Sequence, residues 1–258
     1  MRHFYEAYLI LHHVLSAAAL ITLWLHVWQS GSKDGQLYLI VCFSIVGFTF
    51  LLQISNFAYR NFSLRKGFNR ISVLKQNDIL RLRLLVTKPW KFKAGQYIYI
   101  CVPDASPLAC FEFHPFFITW WEETASGEAV AHFLVQPRRG LTRNLLRCQS
   151  YEIGDSQPDH TALIEGPYGT YQNLNEYGTI IMLASGIGIS AQLPYIQQLV
   201  TDHKLCKVKT QKMELHWIIE KEYHRDWVKL WMDKVLDEDT KYVDYEIYYI
   251  LYENEWLG

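Results

Sequence analysis

Two histidines stand in one long apolar run near the start of the chain. His12 and His26 lie 14 positions apart within "YLILHHVLSAAALITLWLHVW". At about 100° and about 1.5 Å per residue, a helix places both on nearly the same face, roughly 21 Å apart along its axis. By the same reckoning His13 is turned about 140° away from His26, so it is given no ligand role.

Imidazole inside a membrane helix is costly and usually serves a function. Two such side chains at this separation suit two iron porphyrins stacked across a membrane, each bound by one histidine of the helix. The alternative is that His12 and His26 hydrogen-bond to neighbouring helices or reach toward the membrane interface. The spacing alone leaves both interpretations open.

The composition places this run in a membrane module. Hydrophobic residues make up 50% and aromatic residues 15% of the 258 residues, which is high for a soluble protein. Two apolar runs, at about 4–28 and 37–54, are long enough to cross a bilayer, and a polar connector at 29–36 makes them a hairpin. The second run is followed by a basic cluster on the cytoplasmic side: Arg60, Arg65, Lys66 and Arg70.

Charge and cysteine content exclude other classes of protein. A formal net charge of −1 gives no electrostatic basis for binding nucleic acid. The five cysteines are dispersed and form no CxxC pair, which indicates reduced thiols facing the cytosol. The sequon Asn61-Phe62-Ser63 is expected to stay without glycan, because the predicted topology places it in the cytosol.

Beyond residue 59 the pattern changes twice. Short alternating runs predict the strands of a small antiparallel barrel, at 70–77, 79–86, 96–103, 116–121 and 129–136. From about residue 171, strands alternate with helices and predict a parallel α/β sheet, with strands at 179–185, 213–220 and 243–252 and helices at 190–200 and 226–236. The predicted domains are therefore 1–58, 59–170 and 171–258.

Three short motifs could bind cofactors. Gly186 and Gly188 lie between a strand and a helix, where glycines let a backbone approach a pyrophosphate, although such turns also carry glycine for geometry alone. "HPFF", beginning at His114, opens an aromatic strand that suits a planar cofactor or is simply half-buried. "PRRGLT", at 137–142, precedes a short helix and is either a phosphate cradle or a solvated basic turn.

Taken in order, these motifs resemble the ferric reductase and NADPH oxidase superfamily of transmembrane flavocytochromes b, and most of all its fungal ferric-chelate reductases. The segments that carry the resemblance are "LILHHVLSAAALITLWLH", "RNFSLRKGF", "AGQYIYI", "FEFHPFFITWW", "LVQPRRGLT", "IEGPYG" and "LASGIGISAQLPYI". The resemblance implies a multidomain membrane protein. Its parts are a transmembrane helical hairpin, an antiparallel β-barrel that binds FAD, and a ferredoxin-reductase-like α/β domain that binds NAD(P)H and is incomplete at its C-terminus.

The family's flavin motif falls on His114, Pro115 and Phe116. The next position is Phe117 where the family has a hydroxyl residue. Thr119 lies two residues on, hence on the same face if the strand continues, and is expected to substitute for that hydroxyl.

The resemblance also assigns the phosphate and nucleotide contacts. The FAD pyrophosphate contact maps to Gly140, Leu141 and Thr142, with Arg138 or Arg139 as its charge partner. The loop joining the two domains maps to Gly166, Pro167 and Tyr168. The glycines for NADPH map to Gly186 and Gly188, and Pro194 closes that motif.

The residues after "HWII" bear on the choice between NADPH and NADH. The family often has a basic residue there that binds the 2′-phosphate of NADPH, whereas this chain has Glu220, which favours NADH. Lys221 or Arg225 could restore the preference for NADPH. The resemblance favours NADPH, with NADH as the alternative.

The implied function is transmembrane electron transfer from NAD(P)H through FAD and haem b to ferric or cupric chelates. His12 would bind the haem nearer the cytosol and His26 the outer one; no residue is assigned as catalytic. The chain offers one ligating helix, so it is expected to be a fragment whose N-terminal membrane half is missing. Alternatives are a superoxide-generating NADPH oxidase and a non-catalytic remnant. The implied location is the plasma membrane, or the vacuolar membrane, with the cofactor domains cytosolic.

Overall fold

The chain forms two compact units. The structure, a computed structural model, describes residues 2–88, 90–105, 113–124, 126–138, 141–147, 160–238 and 244–251. The contacts between residues divide it into Met1–Asn56 and Phe57–Gly258.

The first unit is built from two long helices. Helix α1 runs from Arg2 to Gln29 and α2 from Lys33 to Asn61, so the last turn of α2 belongs to the second unit. Both helices contain stretches long and apolar enough to cross a membrane. The connector is shorter than the predicted 29–36, because α2 already begins at Lys33 and includes Gly35.

The second unit begins with an antiparallel sheet, which we call the sheet lobe. Its strands are β1 (Phe62–Ser63), β2 (Gly67–Gln76), β3 (Ile79–Val86), β4 (Tyr97–Cys101), β5 (His114–Phe117), β6 (Trp120–Glu123), β7 (Ala129–Val135) and β8 (His160–Tyr168). They pair in the order β5-β4-β8-β2-β3-β7-β6, and β1 pairs with β2. The predicted antiparallel sheet is confirmed. The barrel is not closed, since no hydrogen-bonded ladder joins β5 to β6 in the part of the chain that the structure describes.

The open edge arises because one stretch of chain serves both ends of the sheet. β5 pairs with β4, and β6 pairs with β7. Between them, the Ile118 N–H donates to the Gln96 carbonyl at 3.1 Å and the Thr119 N–H donates to the His132 carbonyl at 2.9 Å. The predicted single strand at 116–121 is therefore two short strands with a corner at these two residues.

The α/β lobe follows the sheet lobe. Its elements are β9 (Thr179–Ser185), α4 (Ile189–Lys204), β10 (Lys212–Ile219), α5 (Lys229–Glu238) and β11 (Asp244–Leu251), and a four-residue helix, α3 (Leu141–Asn144), precedes it. The three strands are parallel, as predicted, and they lie in the order β11-β10-β9. The predicted helix at 226–236 begins later, because Glu222–Trp227 forms a 3₁₀ helix.

Side-chain amides and an arginine join the two lobes. The Gln197 amide accepts from the Trp121 N–H at 3.2 Å and donates to the Trp121 carbonyl at 2.6 Å, as a neighbouring strand would. Arg81 Nη2 donates to the Trp227 carbonyl at 2.7 Å, and its guanidinium lies 4.6 Å from the centre of the Trp231 ring. Residues from both lobes can therefore line one site.

Candidate functional site

A cluster of aromatic rings covers the outer face of β4, β5 and β8. Along β4 the side chains alternate: Ile98 and Ile100 are fully buried, and Tyr97 and Tyr99 are half-buried on the opposite face. The register places Phe117 opposite Tyr97 on one side. The alternation in "QYIYI" is the sequence signal for these two tyrosines, although the sequence motifs give neither of them a role in binding a cofactor.

The rings lie close enough to form one surface. The Tyr97 ring centre is 5.7 Å from that of Phe117 and 5.7 Å from that of Tyr168, and Tyr99 lies 5.6 Å from Tyr168. Phe117 is 55% exposed and Tyr168 37%. We call these four residues the aromatic face. Exposed rings in this arrangement can stack on a planar heteroaromatic ligand.

A carboxylate fixes one ring of the aromatic face. The Tyr168 hydroxyl donates to Glu165 Oε1 at 2.6 Å. This hydrogen bond to a carboxylate raises the pKa of Tyr168 to about 12. The phenol therefore stays protonated at neutral pH and keeps its ring in place.

Gly166, Pro167 and Tyr168 do not form the predicted joining loop. They are the last residues of β8, and Tyr168 pairs with Tyr97. Tyr99 pairs with Glu165, so the register shifts between the two tyrosines of β4. A bulge of this kind lets a proline sit within a strand without breaking the ladder on either side.

The predicted flavin-motif residues divide between two faces of β5. Phe116 is buried, and its ring centre lies 6.4 Å from that of Phe133, so its side chain belongs to the core. His114 is half-buried on the same side as Phe116. Pro115 and Phe117 lie on the exposed side with the aromatic face.

The expectation that Thr119 shares a strand face with Phe117 is wrong. Thr119 is fully buried at the corner between β5 and β6, and its hydroxyl accepts a hydrogen bond from the Leu134 N–H at 3.3 Å. Phe117 is more than half exposed, so the two side chains point in different directions. Thr119 therefore holds the corner together, and its role in place of the family's hydroxyl residue stays a prediction.

The basic turn after β7 is closed by a hydroxyl. The Arg138 N–H donates to Thr142 Oγ1 at 2.8 Å, and the Arg138 side chain is exposed. A hydroxyl that accepts from a backbone N–H keeps its own proton for another acceptor. Leu141 begins α3. Gly140 and the neighbouring Arg139 lie outside the described residues.

The glycine turn between β9 and α4 borders open space. A Cβ added at Gly186 or at Gly188 would meet no atom of the chain within 4 Å. Trp217 Nε1, on the neighbouring strand β10, donates to the Gly186 carbonyl at 2.9 Å and fixes the turn. No side chain of the described residues caps the amino end of the 16-residue helix α4, so its N–H groups can bind an anion.

A cavity of about 240 Å³ lies between the two lobes. Phe117 lines it from the sheet lobe, and Pro194 and Tyr195 line it from α4. Gly95 permits this approach, since a Cβ there would lie 2.6 Å from the Tyr195 hydroxyl oxygen and 3.0 Å from the Thr170 carbonyl oxygen. Phe117 thus belongs both to the aromatic face and to the cavity beside the start of α4.

Two cations lie at the carboxyl ends of β10 and β11, the edge of the sheet that also holds the glycine turn. Lys221 Nζ donates to the Tyr223 hydroxyl at 2.9 Å, which raises the pKa of Lys221. The Arg225 guanidinium lies 4.6 Å from the centre of the Tyr249 ring. Glu220 is exposed beside them. Ligands of open parallel sheets bind at this edge.

The histidines predicted to bind iron both lie on α1. The His12 ring centre is 6.2 Å from that of Tyr8 and 5.9 Å from that of His13, and His26 is exposed. Helix α2 contains no histidine. Among the described residues there is no group of three or more histidine, cysteine or acidic side chains that could hold a metal. The helix can supply one imidazole to each of two irons.

Two family models match the second unit, in chain order. An FAD-binding domain model matches residues 64–172, and a ferric reductase NAD binding domain model matches residues 177–253. The first match covers the aromatic face, and the second covers the glycine turn.

The chain is also similar to curated ferric reductases. "Ferric/cupric reductase transmembrane component 2" of Saccharomyces cerevisiae is 26% identical over 195 residues, covering 75% of this chain and 25% of the relative. "Probable cell surface ferric reductase kap2" of Aspergillus oryzae is 26% identical over 169 residues, covering 62% of this chain and 21% of the relative. The chain spans about a quarter of the length of these relatives.

A solved ferredoxin reductase of carbazole 1,9a-dioxygenase has the same fold. It superposes with a TM-score of 0.51 at 14% identity, over 74% of this chain and 52% of that one. The likeness shows a ferredoxin-reductase-like fold. The two family models and the ferric reductase relatives show that the chain belongs to the ferric reductase superfamily.

Proposed function

We propose that the chain is the electron-input part of a membrane ferric- or cupric-chelate reductase that uses NADPH, FAD and haem b. The observation that carries the proposal is the position of Phe117. Its ring belongs to the aromatic face, and it also lines the cavity that Pro194 and Tyr195 close from the α/β lobe. A flavin ring on this face would meet a nicotinamide that enters beside the start of α4.

The sheet lobe fits FAD. The exposed ring of Phe117 and the half-buried ring of Tyr97 can stack on the flavin, and His114 and Pro115 lie on the same strand as Phe117. Arg138 and Thr142 supply a cation and a hydroxyl for the pyrophosphate, and the sequence motif adds Gly140 and Leu141 to this proposed contact. Bound FAD would supply hydride acceptance and one-electron donation.

The α/β lobe fits a dinucleotide. The open space at Gly186 and Gly188 admits a pyrophosphate against the backbone, and the amino end of α4 attracts its negative charge. Pro194 and Tyr195 hold the nicotinamide end against the sheet lobe. The two hydrogen bonds between Gln197 and Trp121 hold the two lobes together.

The nucleotide is proposed to be NADPH. Lys221 and Arg225 lie at the edge of the sheet where the adenosine end of a dinucleotide binds, and both can pair with a 2′-phosphate. Glu220 opposes that charge. Two cations against one carboxylate favour the phosphorylated nucleotide, and NADH is the alternative.

The haem part of the proposal rests on α1. His12 and His26 would each supply one axial imidazole to a haem b, and the second imidazole of each would come from another helix. In this proposal the first unit lies in a membrane and the two lobes lie on its cytosolic side. The plasma membrane is the proposed location, since the relative from Aspergillus oryzae is named a cell surface ferric reductase.

The test uses the chain reconstituted in nanodiscs and supplied with FAD. NADPH is expected to bleach the flavin absorbance under anaerobic conditions, and Phe117→Ala is expected to weaken FAD binding. Loss of one stacked ring, worth about 0.5–1.5 kcal/mol, corresponds to about 2- to 12-fold in affinity. Tyr177→Ala is the control, since Tyr177 is 60% exposed away from the aromatic face.

The electron acceptor is tested in membranes that contain the complete protein. Trapping of Fe(II) by a chelator, unaffected by superoxide dismutase, is expected for a metal reductase. Reduction that superoxide dismutase abolishes would instead identify an oxidase. A chain that binds FAD and is not reduced by NADPH or NADH would overturn the proposed function.

A further inference from the structure

A short hairpin with exposed apolar side chains follows α2 directly. β1 pairs with the start of β2, with Phe62 opposite Phe68, and the two ring centres lie 5.2 Å apart. Leu64 at the tip is 94% exposed, and Phe62 and Phe68 are 43% and 45% exposed. We call residues 62–68 the apolar hairpin. Its three large side chains have no cover in the described part of the second unit.

Cations and aromatic rings surround the base of this hairpin. Lys88 Nζ lies 4.6 Å from the centre of the Tyr59 ring, and the Arg60 guanidinium lies 5.2 Å from that of Trp90. Between residues 57 and 93 the cations outside β2 and β3 are Arg60, Arg65, Lys66, Lys88, Lys91 and Lys93, with Arg70 near the start of β2.

The charge of this segment is one-sided. Asp78 is its only acidic residue. From outside the segment, Glu128 pairs with Lys66 at 2.8 Å and neutralises one cation. Aromatic rings mixed with lysine and arginine are typical of the membrane interface, and such cations attract anionic lipid headgroups.

Chain length brings the hairpin within reach of a bilayer. α2 ends at Asn61, and its apolar stretch is long enough to span a membrane. Leu64 is three residues further, or about 10 Å of extended chain. The headgroup region on each side of the hydrocarbon core is about 5–8 Å thick. The tip can therefore reach the boundary between headgroups and acyl chains.

The base of the hairpin is held in place. Asn61 is 2% exposed, and its amide exchanges hydrogen bonds with Ile164 at 2.6 and 2.8 Å. The last turn of α2 and the hairpin are therefore both fixed to the sheet lobe, and the hairpin is not a loose linker. A fixed hairpin loses little conformational freedom when lipid covers its apolar side chains.

We infer that the apolar hairpin inserts its tip into the leaflet at which α2 ends, and that Arg65, Arg70 and Lys88 bind the phosphates of anionic lipids there. The inference rests on the membrane placement in the proposed function and goes beyond it. It gives the sheet lobe a second membrane attachment besides α2, which restrains its rotation about the helix.

The experiment places one environment-sensitive fluorophore, NBD, on Leu64→Cys in a chain whose five native cysteines are replaced by alanine. The chain is reconstituted in phosphatidylcholine nanodiscs with or without phosphatidylserine, and with or without doxyl-labelled lipid. Val46→Cys, at a 62% exposed position in α2, is the control inside the membrane, and Leu230→Cys, at a 64% exposed position in α5, is the control in water.

The label at position 64 is expected to be quenched by doxyl lipid, more strongly with phosphatidylserine, while the label at position 230 is not. Adding Arg65→Gln, Arg70→Gln and Lys88→Gln is expected to abolish the effect of phosphatidylserine. Loss of all three lipid contacts is expected to weaken insertion roughly a hundredfold, since each 1.4 kcal/mol of binding free energy corresponds to about tenfold in affinity.

Three results would overturn the inference. In the first, quenching of the label at position 64 equals that at position 230 with and without phosphatidylserine, as expected if water, another protein or a second copy covers the hairpin. Quenching at position 64 could be insensitive to the three charge substitutions. An unquenched label at position 46 would also remove the membrane placement itself. NADPH-driven bleaching of the flavin, measured on the same nanodiscs, reports separately on the proposed function.

Discussion

Asn61 joins the last turn of α2 to the sheet lobe, and its replacement offers a sharp test of the structure. Its Oδ1 accepts from the Ile164 N–H at 2.6 Å, and its Nδ2 donates to the Ile164 carbonyl at 2.8 Å and to the Phe57 carbonyl at 2.9 Å. The amide thus satisfies both backbone groups of one residue of β8. Asn69 Nδ2 also donates to Asn61 Oδ1, at 3.3 Å.

The magnitude follows from the groups left without a partner. Asn61→Leu keeps the number of side-chain heavy atoms and leaves the N–H and carbonyl of Ile164 unpaired in a fully buried place. Each such group costs about 1–3 kcal/mol, so the local loss is about 2–6 kcal/mol. Hydrogen exchange of the Ile164 amide is expected to quicken by a factor of about 30 to more than 10⁴, at about 1.36 kcal/mol per tenfold.

Asn61→Asp adds a dependence on pH. A carboxylate keeps the acceptor but faces the Ile164 carbonyl without a proton to donate, and burial favours its neutral form. The folded pKa of this carboxyl should lie above the unfolded value, so the folded state binds more protons and stability falls as pH rises above about 4. The variant is therefore expected to be less stable at neutral pH than at mildly acidic pH.

A matched control lies on an exposed loop. Asn173 makes one local hydrogen bond, in which its Oδ1 accepts from the Asn175 N–H at 3.1 Å. Asn173→Asp keeps that acceptor and is expected to leave exchange at Ile164 unchanged. Amide hydrogen exchange is measured in detergent. If the Ile164 amide exchanges as slowly in the Asn61→Leu variant as in the wild-type protein, the reasoning is refuted.

Three further predictions concern the α/β lobe. Gly188→Val should weaken NADPH binding, because the added side chain fills the space proposed for the pyrophosphate. The thermal midpoint should not change, because a Cβ added at this position meets no atom of the chain within 4 Å. Calorimetric titration and thermal unfolding measure the two effects. Arg225→Ala should raise the KM for NADPH about tenfold or more and leave the KM for NADH unchanged, since a charged hydrogen bond is worth about 1.5–3 kcal/mol. An equal rise in the KM for NADH would contradict this prediction. Burial lowers the pKa of His224 although Asp78 lies 3.6 Å away, so the fold favours the neutral ring. Stability should therefore fall as pH drops below about 6.5. His224→Phe should weaken this dependence of stability on pH, as measured by thermal unfolding at different pH values.

Local patterns predicted the elements whose signals lie within a few residues. The apolar runs gave α1 and α2, the alternation of side chains gave β2, β3, β4 and β7, and the strand–glycine–helix order placed Gly186 and Gly188 correctly at the start of α4. The sequon at Asn61 was expected to stay without glycan because of topology. The structure adds a second reason, since the Asn61 side chain is buried and fully hydrogen-bonded.

The features that were missed depend on contacts between distant segments. β8 carries Gly166-Pro167, which looks like a turn until β4 supplies a bulged partner. Thr119 was placed on the face of Phe117 because a straight strand was assumed, whereas pairing with β7 turns the chain at that point. The aromatic face draws its rings from three strands, so no single segment reveals it.

The strand held by Asn61 is also the strand that carries Tyr168. Ile164 and Tyr168 are four residues apart on β8, or about 13 Å at about 3.3 Å per residue. One rigid strand therefore separates the last turn of α2 from the aromatic face. With the apolar hairpin leaving the same helix end, two independent attachments converge on this point. A flavin stacked on Tyr97 and Phe117 would accordingly keep a fixed distance from the end of α2, which is what electron transfer toward a membrane cofactor requires of the protein.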